Sequence, residues 1–144
     1  MEEEIFSIEE PIGNYNQFKV FTSLQCWKDA REVKLFFYRK VLPCLPPEEK
    51  FNLDIQIRKA SCSITSNISE GHGRFHYQEA IQFCRISRGS LSELKDHLIS
   101  CYDFEYINEA TYQDGLEKIE KAKISLNGFI AYNERKKKEL KVYK

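Results

Sequence analysis

The stretch from Asn52 to Gly71 constrains the fold of this chain more than any other part of the sequence. Its apolar residues recur every three or four positions, which is the spacing of one buried face of an α-helix. These residues are Leu53, Ile57, Ala60, Ile64 and Ile68. We therefore predict a helix of about five turns that packs against the rest of the protein along its whole length.

A second stripe, of polar residues, runs beside the apolar face of this helix. It consists of Gln56, Ser63, Asn67 and Glu70, and only the last is charged. Uncharged polar groups are tolerated at packed surfaces when they find hydrogen-bond partners. We expect Gln56, Ser63 and Asn67 to form interhelical or intersubunit hydrogen bonds.

Three further segments have a helical pattern, about 22–42, 77–102 and 108–135, and no stretch alternates in the manner of a strand. The loops between the four helices are short, which favours antiparallel neighbours. The sequence therefore predicts an all-α protein, an antiparallel up-down four-helix bundle.

Helix ends are predicted from capping and helix-breaking residues. Thr22, followed three positions later by a glutamine, predicts a capping box, and Asn52 and Asn108 are expected to cap the second and fourth helices. Pro43, Pro46 and Pro47 are expected to end the first helix because proline lacks an amide proton. Gly71 and Gly73 are expected to end the second.

Two features indicate that copies of the chain associate. The third helix has Gly89 and Ser90 near its middle, where a glycine costs about 1 kcal/mol relative to alanine, so we expect another helix to approach closely there. The first helix carries Leu35, Phe36 and Tyr38 on several sides. One small bundle is not expected to bury them all, and monomers rarely expose large apolar patches.

Charge is balanced over the chain and uneven along it. The 144 residues contain 22 Lys plus Arg and 22 Asp plus Glu, so no overall basic field indicates nucleic acid. Residues 1–10 hold five glutamates and no basic residue, whereas residues 135–144 hold six basic residues and one glutamate. We divide the chain into an irregular acidic N-terminal arm (1–20), the bundle domain (21–135) and a basic C-terminal tail (136–144), whose charges are typical of a solvated helix end.

The predicted location is the cytoplasm. No apolar run reaches the roughly 18 residues of a membrane helix, and the acidic start is unlike a signal peptide. The cysteines are odd in number and contain no CxxC pair. We therefore expect them to be buried small hydrophobic residues, at Cys26, Cys44, Cys62, Cys84 and Cys101.

The sequence also argues against enzymatic chemistry. Ser90 follows a glycine but lies inside a helix, without the strand-to-helix turn of a nucleophilic serine. His72 and His76, with Glu79 nearby, have the spacing of a metal pair, yet Gly71 and Gly73 are expected to break the helix between them. No phosphate-binding loop or zinc pattern is present. We predict no catalysis, cofactor, metal or small-molecule substrate.

Two separated motifs carry a family resemblance. QIRKASCSITSNISEGHGR at 56–74 and RGSLSEL at 88–94, together with LQCWKDA at 24–30, strongly resemble the bacterial "four helix bundle protein" family. Its founding members are encoded in intervening sequences of 23S rRNA genes, and it has been labelled a ribosomal-protein family. The resemblance covers about residues 20–135. It implies an antiparallel four-helix bundle that assembles into a ring-shaped homopentamer.

The resemblance extends to the accessory variability determinant proteins of diversity-generating retroelements. These are basic pentamers that bind a reverse transcriptase and RNA or DNA. The resemblance thus implies a nucleic acid, or a ribonucleoprotein or reverse-transcriptase complex, as a partner of this chain.

Five cations are the candidate contacts for such a partner: Arg58, Lys59, Arg74, Arg85 and Arg88. Ring symmetry would repeat each of them once per subunit, which multiplies phosphate contacts. Two alternatives stay open at this stage. Arg58 and Arg88 can instead pair with Glu70, Glu93 or a neighbouring subunit, and the protein can be a structural homo-oligomeric scaffold with a protein partner and no nucleic-acid binding.

Overall fold

The computed structural model describes residues 20–142, and the predicted acidic arm, apart from Val20, lies outside them. Within this range the chain forms four α-helices and no strand. They are α1 (Gln25–Phe36), α2 (Leu53–Gly73), α3 (Tyr77–Asp103) and α4 (Glu109–Val142). None of the described helices is long and apolar enough to cross a membrane.

Contacts between helices show that successive helices run antiparallel. Lys34 of α1 bonds to Thr65 of α2, whereas Tyr38, four residues later and just past the end of α1, lies beside Cys62, earlier in α2. The same holds for α2 with α3 and for α3 with α4. In each of these pairs of helices, residues later in the first helix contact residues earlier in the second. The predicted all-α up-down bundle is therefore confirmed. The start of α1, the end of α2, the start of α3 and the end of α4 share one end of the bundle.

The core follows the predicted apolar face of α2. All five of its predicted apolar positions are buried, with exposed fractions of 0 to 7%. The first helix contributes Val33, Phe36 and Phe37, which are buried within a single chain, while Leu35 and Tyr38 are partly buried. One bundle thus covers more of the first helix than the sequence led us to expect, and Phe36 gives no argument for self-association.

The start of α1 differs from the predicted capping box. Thr22 lies in a short 3₁₀ turn, Phe21–Ser23, and Leu24 takes the N-cap position without a side-chain hydrogen bond. The Gln25 side chain instead donates to Asp29, one turn along its own helix.

The first helix ends as the prolines predict, through a change of hydrogen-bond pattern. The segment Phe37–Val41 is π-helical, and Leu42–Cys44 forms a 3₁₀ turn. Pro43 has no amide proton to donate to the preceding turn, so the α-helical pattern cannot continue through it.

Glu49, rather than Asn52, caps α2. Its carboxylate accepts hydrogen bonds from the Leu53 backbone amide at 3.4 Å and from the Asn52 side chain at 3.1 Å. Asn52 makes no side-chain bond to the helix it precedes. At α4 the prediction is confirmed, because Asn108 Oδ1 accepts from the Thr111 amide at 2.8 Å.

Gly71 and Gly73 do not break α2. The helix runs through both of them, and the left-handed residue of the following turn is Phe75, with φ of 53°. Gly71 is needed for packing: a Cβ there would lie 2.9 Å from Phe83 Cβ and 3.1 Å from Ala80 Cα. Its lack of a side chain lets α2 and α3 approach.

Gly89 has the opposite environment. It is exposed, and a Cβ there would meet no described atom within 4 Å, so the expected close approach is not made by another helix among residues 20–142. The neighbouring serines Ser87 and Ser90 do contact α2.

The fourth helix continues to Val142, past its predicted end at Arg135. Leu140 packs against Tyr77 and Ala80, and Lys137 donates a hydrogen bond to Gln78. The described part of the basic tail is therefore helical and docked on the start of α3.

The cysteine prediction is correct at three positions and wrong at two. Cys26, Cys84 and Cys101 are buried, and burial raises the pKa of each thiol, to about 12 for Cys84 and Cys101. Cys44 and Cys62 are exposed, because they lie on the outer sides of the proline turn and of α2. All five thiols are free.

Candidate nucleic-acid interface

The polar stripe of α2 joins α2 to α3 within one chain. The hydroxyls of Ser63 and Ser90 are 2.8 Å apart, and the Asn67 amide donates to both the carbonyl and the hydroxyl of Ser63 at 2.9 Å. Beneath them, the buried Ser87 hydroxyl donates to the Ile64 carbonyl at 2.7 Å. Gln56 is exposed and lies outside this network. The interhelical alternative thus accounts for Ser63 and Ser90, whereas Asn67 bonds to Ser63 within its own helix.

The five predicted cations occupy three separate places, and the first is the middle of α2. Arg58 Nε lies 2.6 Å from Asp54 Oδ1, and its guanidinium stacks over the Tyr38 ring at 5.3 Å. The hydrogen bond that Arg58 donates to the Asp54 carboxylate raises the pKa of Arg58. Lys59, the next residue, is exposed and points away from this pair around the helix.

The second place is the corner between α2 and α3. Arg74 bonds to Glu70 at 2.9 Å and to Glu79 at 3.3 Å, and its guanidinium lies 5.2 Å from the centre of the Phe83 ring. Two carboxylates and an aromatic face hold this side chain across the corner. Arg74 and Glu70 therefore have a structural explanation within the bundle.

The third place is the seam between α3 and α4. Arg85 reaches Glu134 at 3.4 Å, and Arg88 donates to the Asn127 side chain at 2.8 Å. The pairing considered for Arg88, with Glu70 or Glu93, is therefore not the one observed.

Two lysines of α4 extend this seam. Positions 127, 134, 138 and 141 are separated by seven, four and three residues, so they share one face of the helix. Lys138 and Lys141 therefore lie in line with the residues that Arg85 and Arg88 contact. Both lysines are exposed, and neither forms an ion pair with a residue in the described range. We call Arg85, Arg88, Lys138 and Lys141 the cationic edge.

The sequence contained a signal for the two lysines. Positions 127, 134, 138 and 141 share one helix face once the fourth helix is extended past Arg135. The predicted end of the helix at Arg135 left Lys138 and Lys141 outside it. The sequence does not show which α3 side chains Lys138 and Lys141 line up with. That alignment depends on the register between α3 and α4, which no local sequence pattern specifies.

An open cleft of about 410 Å³ lies between α1 and α4. Asp29, Glu32, Glu117, Lys118 and Lys121 line it. The buried Asp29 carboxylate accepts from Gln25 at 2.9 Å and lies 3.9 Å from the Lys121 ammonium. These opposite charges largely compensate one another, so the cleft does not favour a charged ligand of either sign.

His72 and His76, the two histidines considered for a metal, lie in different environments. His72 is buried inside α2, whereas His76 is exposed and caps α3 by accepting from the Glu79 amide at 3.4 Å. Between residues 20 and 142, no group of three or more His, Cys, Asp or Glu side chains is arranged to hold a metal ion.

The fold and this surface define a class: a four-helix bundle with a row of cations along the α3–α4 seam. The family model described as 23S rRNA-intervening sequence protein matches residues 22–128. The chain belongs to this family, as its sequence motifs predicted. No curated protein matches the chain significantly. The family match includes Arg85 and Arg88 and ends before Lys138 and Lys141.

Proposed function

We propose that this protein is a noncatalytic accessory protein that binds RNA through the cationic edge and acts in the cytoplasm. The observation that carries the proposal is the alignment of Arg85 and Arg88 with Lys138 and Lys141 along one seam. The description of the family, which ties it to 23S rRNA, favours RNA as the nucleic acid.

The charges on the edge are available to phosphates at little cost. Arg85 and Glu134 are each about half exposed, and an exposed ion pair contributes only about 0 to 1 kcal/mol. A phosphate can therefore replace the Glu134 carboxylate. Each phosphate that a cation neutralises releases counterions, so binding should weaken steeply as salt is added.

The other predicted contacts have different roles in this proposal. Arg74 is held by two carboxylates and Arg58 by Asp54, so each would give up a partner to bind RNA. Lys59 is exposed and is the better secondary contact. A reverse-transcriptase partner stays a prediction of the resemblance.

We further propose that copies of the chain meet at the outer surface of α2 and α3. No charged residue occurs between Lys59 and Glu70, although Cys62 and Ser66 are exposed there. On α3, Ile86 is 52% exposed and Gly89 leaves open space. An uncharged surface of small side chains suits a protein contact, and the predicted ring-shaped homopentamer would repeat the cationic edge in every subunit.

A structural scaffold with a protein partner is the second candidate function. The same uncharged surface favours it, because that surface carries no cation for a phosphate. The scaffold requires self-association and no nucleic-acid binding.

The test compares variants for binding to a 30-nucleotide RNA hairpin, and to a DNA duplex, across a salt series. Lys138→Gln with Lys141→Gln, and separately Arg85→Gln with Arg88→Gln, should each lower the slope of log affinity against log salt by about 1 to 2. The matched control is Lys40→Gln with Lys50→Gln, two exposed lysines at the end of the bundle opposite to the basic end of α4, which should leave the slope unchanged.

The two candidates give different results. If the unaltered protein shows no RNA binding at low salt, the RNA proposal fails and the scaffold is favoured. Light scattering tests the assembly separately, with a pentamer expected at five times the 17.0 kDa chain mass.

A further inference from the structure

Two phenylalanines are exposed at the end of the bundle opposite to the basic end of α4. Phe51 lies just before α2 and is 80% exposed, and Phe104 directly follows α3 and is 58% exposed. Among the described side chains, no other large hydrophobic residue is as exposed as Phe51. Single exposed apolar side chains are ordinary, whereas a group of them marks an interaction surface.

The two phenylalanines form such a group because the connections that carry them are bonded to each other. The centre of the Phe104 ring lies 5.7 Å from that of the Tyr106 ring. The Tyr106 hydroxyl donates to Glu49, and the same carboxylate accepts from the side chain of Asn52, the residue after Phe51. The hydrogen bonds of Glu49 therefore hold both phenylalanines at one end of the bundle.

The charges beside these rings are mainly negative. Asp103 and Glu105 flank Phe104 in the chain, Glu48 lies three residues before Phe51, and all three carboxylates are exposed. Segments 48–51 and 103–105 together contain four carboxylates and one lysine. We call Phe51, Phe104, Glu48, Asp103 and Glu105 the aromatic tip.

The cations at this end leave the aromatic tip negative. Lys50 lies over the Phe51 ring at 5.4 Å, which shows that this ring accepts a cation on its face. Arg39 and Lys40 line a groove against α4, and none of the tip residues lines that groove. A partner of the tip is therefore expected to carry positive charge and apolar surface together.

We propose that the aromatic tip binds a cationic segment of another protein, in which arginine or lysine alternates with apolar side chains. An arginine guanidinium can stack on an aromatic ring while it pairs with a carboxylate, and the apolar side chains can cover the rest of the ring. The carboxylates of the tip would repel the phosphates of a nucleic acid. The tip is thus a second surface with a different partner, and this inference does not depend on RNA binding at the cationic edge.

A fluorescein-labelled synthetic peptide that alternates arginine with leucine is the probe, and anisotropy at low salt measures its binding to the full chain. Phe51→Ser with Phe104→Ser should weaken binding about tenfold, because each ring loses a contact with a cation. Val20→Ser with Ile124→Ser is the matched control. These two side chains are 64% and 63% exposed outside the tip, so their loss should leave affinity unchanged.

The carboxylates are tested separately. Glu48→Gln, Asp103→Asn and Glu105→Gln together should weaken binding and flatten its salt dependence. The control removes three exposed carboxylates of α4, at positions 117, 120 and 139, and should change binding less. A peptide with citrulline in place of arginine, which keeps the shape and loses the charge, should not bind.

The outcomes separate the possible occupants of the tip. Absence of peptide binding, or equal weakening by the tip and control variants, would overturn the proposal. A fall in RNA-hairpin affinity in Phe51→Ser with Phe104→Ser would overturn it in favour of a nucleic acid. A fall in assembly mass by light scattering would overturn it in favour of a second copy of the chain. The expected result is loss of peptide binding with RNA affinity, assembly mass and urea unfolding all unchanged.

Discussion

Tyr106 donates a 2.6 Å hydrogen bond to Glu49 Oε2, which joins the α3–α4 connection to the α1–α2 connection. The other oxygen of Glu49 accepts from Leu53 and Asn52. The hydrogen bond from Tyr106, followed by those from Leu53 and Asn52, lowers the pKa of the Glu49 carboxyl. The same bond raises the pKa of Tyr106 to about 12. A single carboxylate thus fixes the end of the bundle opposite to the basic end of α4.

We predict that Tyr106→Phe lowers the free energy of unfolding and flattens its pH dependence. Because the folded pKa of Glu49 lies below its unfolded value, the stabilisation is present above about pH 4.3 and is lost as pH falls through the folded pKa. The Tyr106 contribution is present below about pH 10 and is lost as pH rises towards 12. Urea unfolding from pH 3 to 7 measures the acid limb. Identical stability profiles for the two proteins would contradict this role.

Gly71→Ala should destabilise the protein by about 1 to 3 kcal/mol, because the new methyl group would press on the backbone of Ala80 and on Phe83. Gly73→Ala, two residues later in α2, is the matched control. A Cβ at Gly73 meets nothing within 4 Å, so that variant should be neutral or slightly more stable. Thermal or urea unfolding measures both. Equal effects would show that helix propensity, rather than helix approach, decides the choice of glycine.

Ser87→Ala should cost about 0.5 to 1.5 kcal/mol, since it removes a buried bond between helices. Asn67→Ala should cost less and leave self-association unchanged, because the amide bonds only to Ser63 of its own helix. Urea unfolding and sedimentation measure the two effects. Loss of assembly in Asn67→Ala would instead favour the intersubunit alternative for this residue.

Thiol labelling of the native protein should be fast at Cys44 and slow at Cys26, Cys84 and Cys101, while Cys62 should label rapidly only where the proposed contact between copies is absent. Burial limits access to Cys26, Cys84 and Cys101 and also raises the pKa of each, which suppresses the reactive thiolate. Peptide mapping after a short pulse of iodoacetamide at pH 8 counts the modified sites. Cys44→Ser with Cys62→Ser should abolish the fast phase, and five rapid sites in native protein would contradict the described core.

Glu134→Gln should raise affinity for the RNA hairpin by about two- to fivefold, because it frees Arg85 from an exposed ion pair of up to about 1 kcal/mol. Asp114→Asn removes the same charge from α4 at a partly exposed pair with Lys118, on the side of α4 that faces α1 and away from the edge. Filter binding at low salt compares them. If both substitutions raise affinity equally, total charge rather than the cationic edge governs binding.

Much of the fold was predictable from periodicity, because burial of one helix face is recorded directly in the sequence. The apolar face of α2 and the proline end of the first helix illustrate this. Helix ends were less predictable. Glu49 caps α2 from a turn that is stabilised by Tyr106, 57 residues later in the chain. No local sequence pattern contains the Tyr106–Glu49 hydrogen bond. The sequence therefore predicted Asn52, which directly precedes the helix, as the N-cap of α2.

The candidate site, like the fold, was predictable from the sequence only in part. Arg85 and Arg88 were among the cations proposed from the sequence, whereas Lys138 and Lys141 were assigned to a solvated tail. Four of the five predicted cations have in-chain partners, at Asp54, Glu70 with Glu79, Glu134 and Asn127. Only a structure shows which charges are already balanced, because the partner of each is set by helix register.

By itself the sequence determined the four helices, the apolar face of each and the family, since these depend on the order of residues within one helix. The tertiary structure alone decided the closeness of α2 and α3 at Gly71, the pairing of the arginines and the alignment of the cationic edge. Those features depend on the distance and register between helices, which are set by the packing of the whole core.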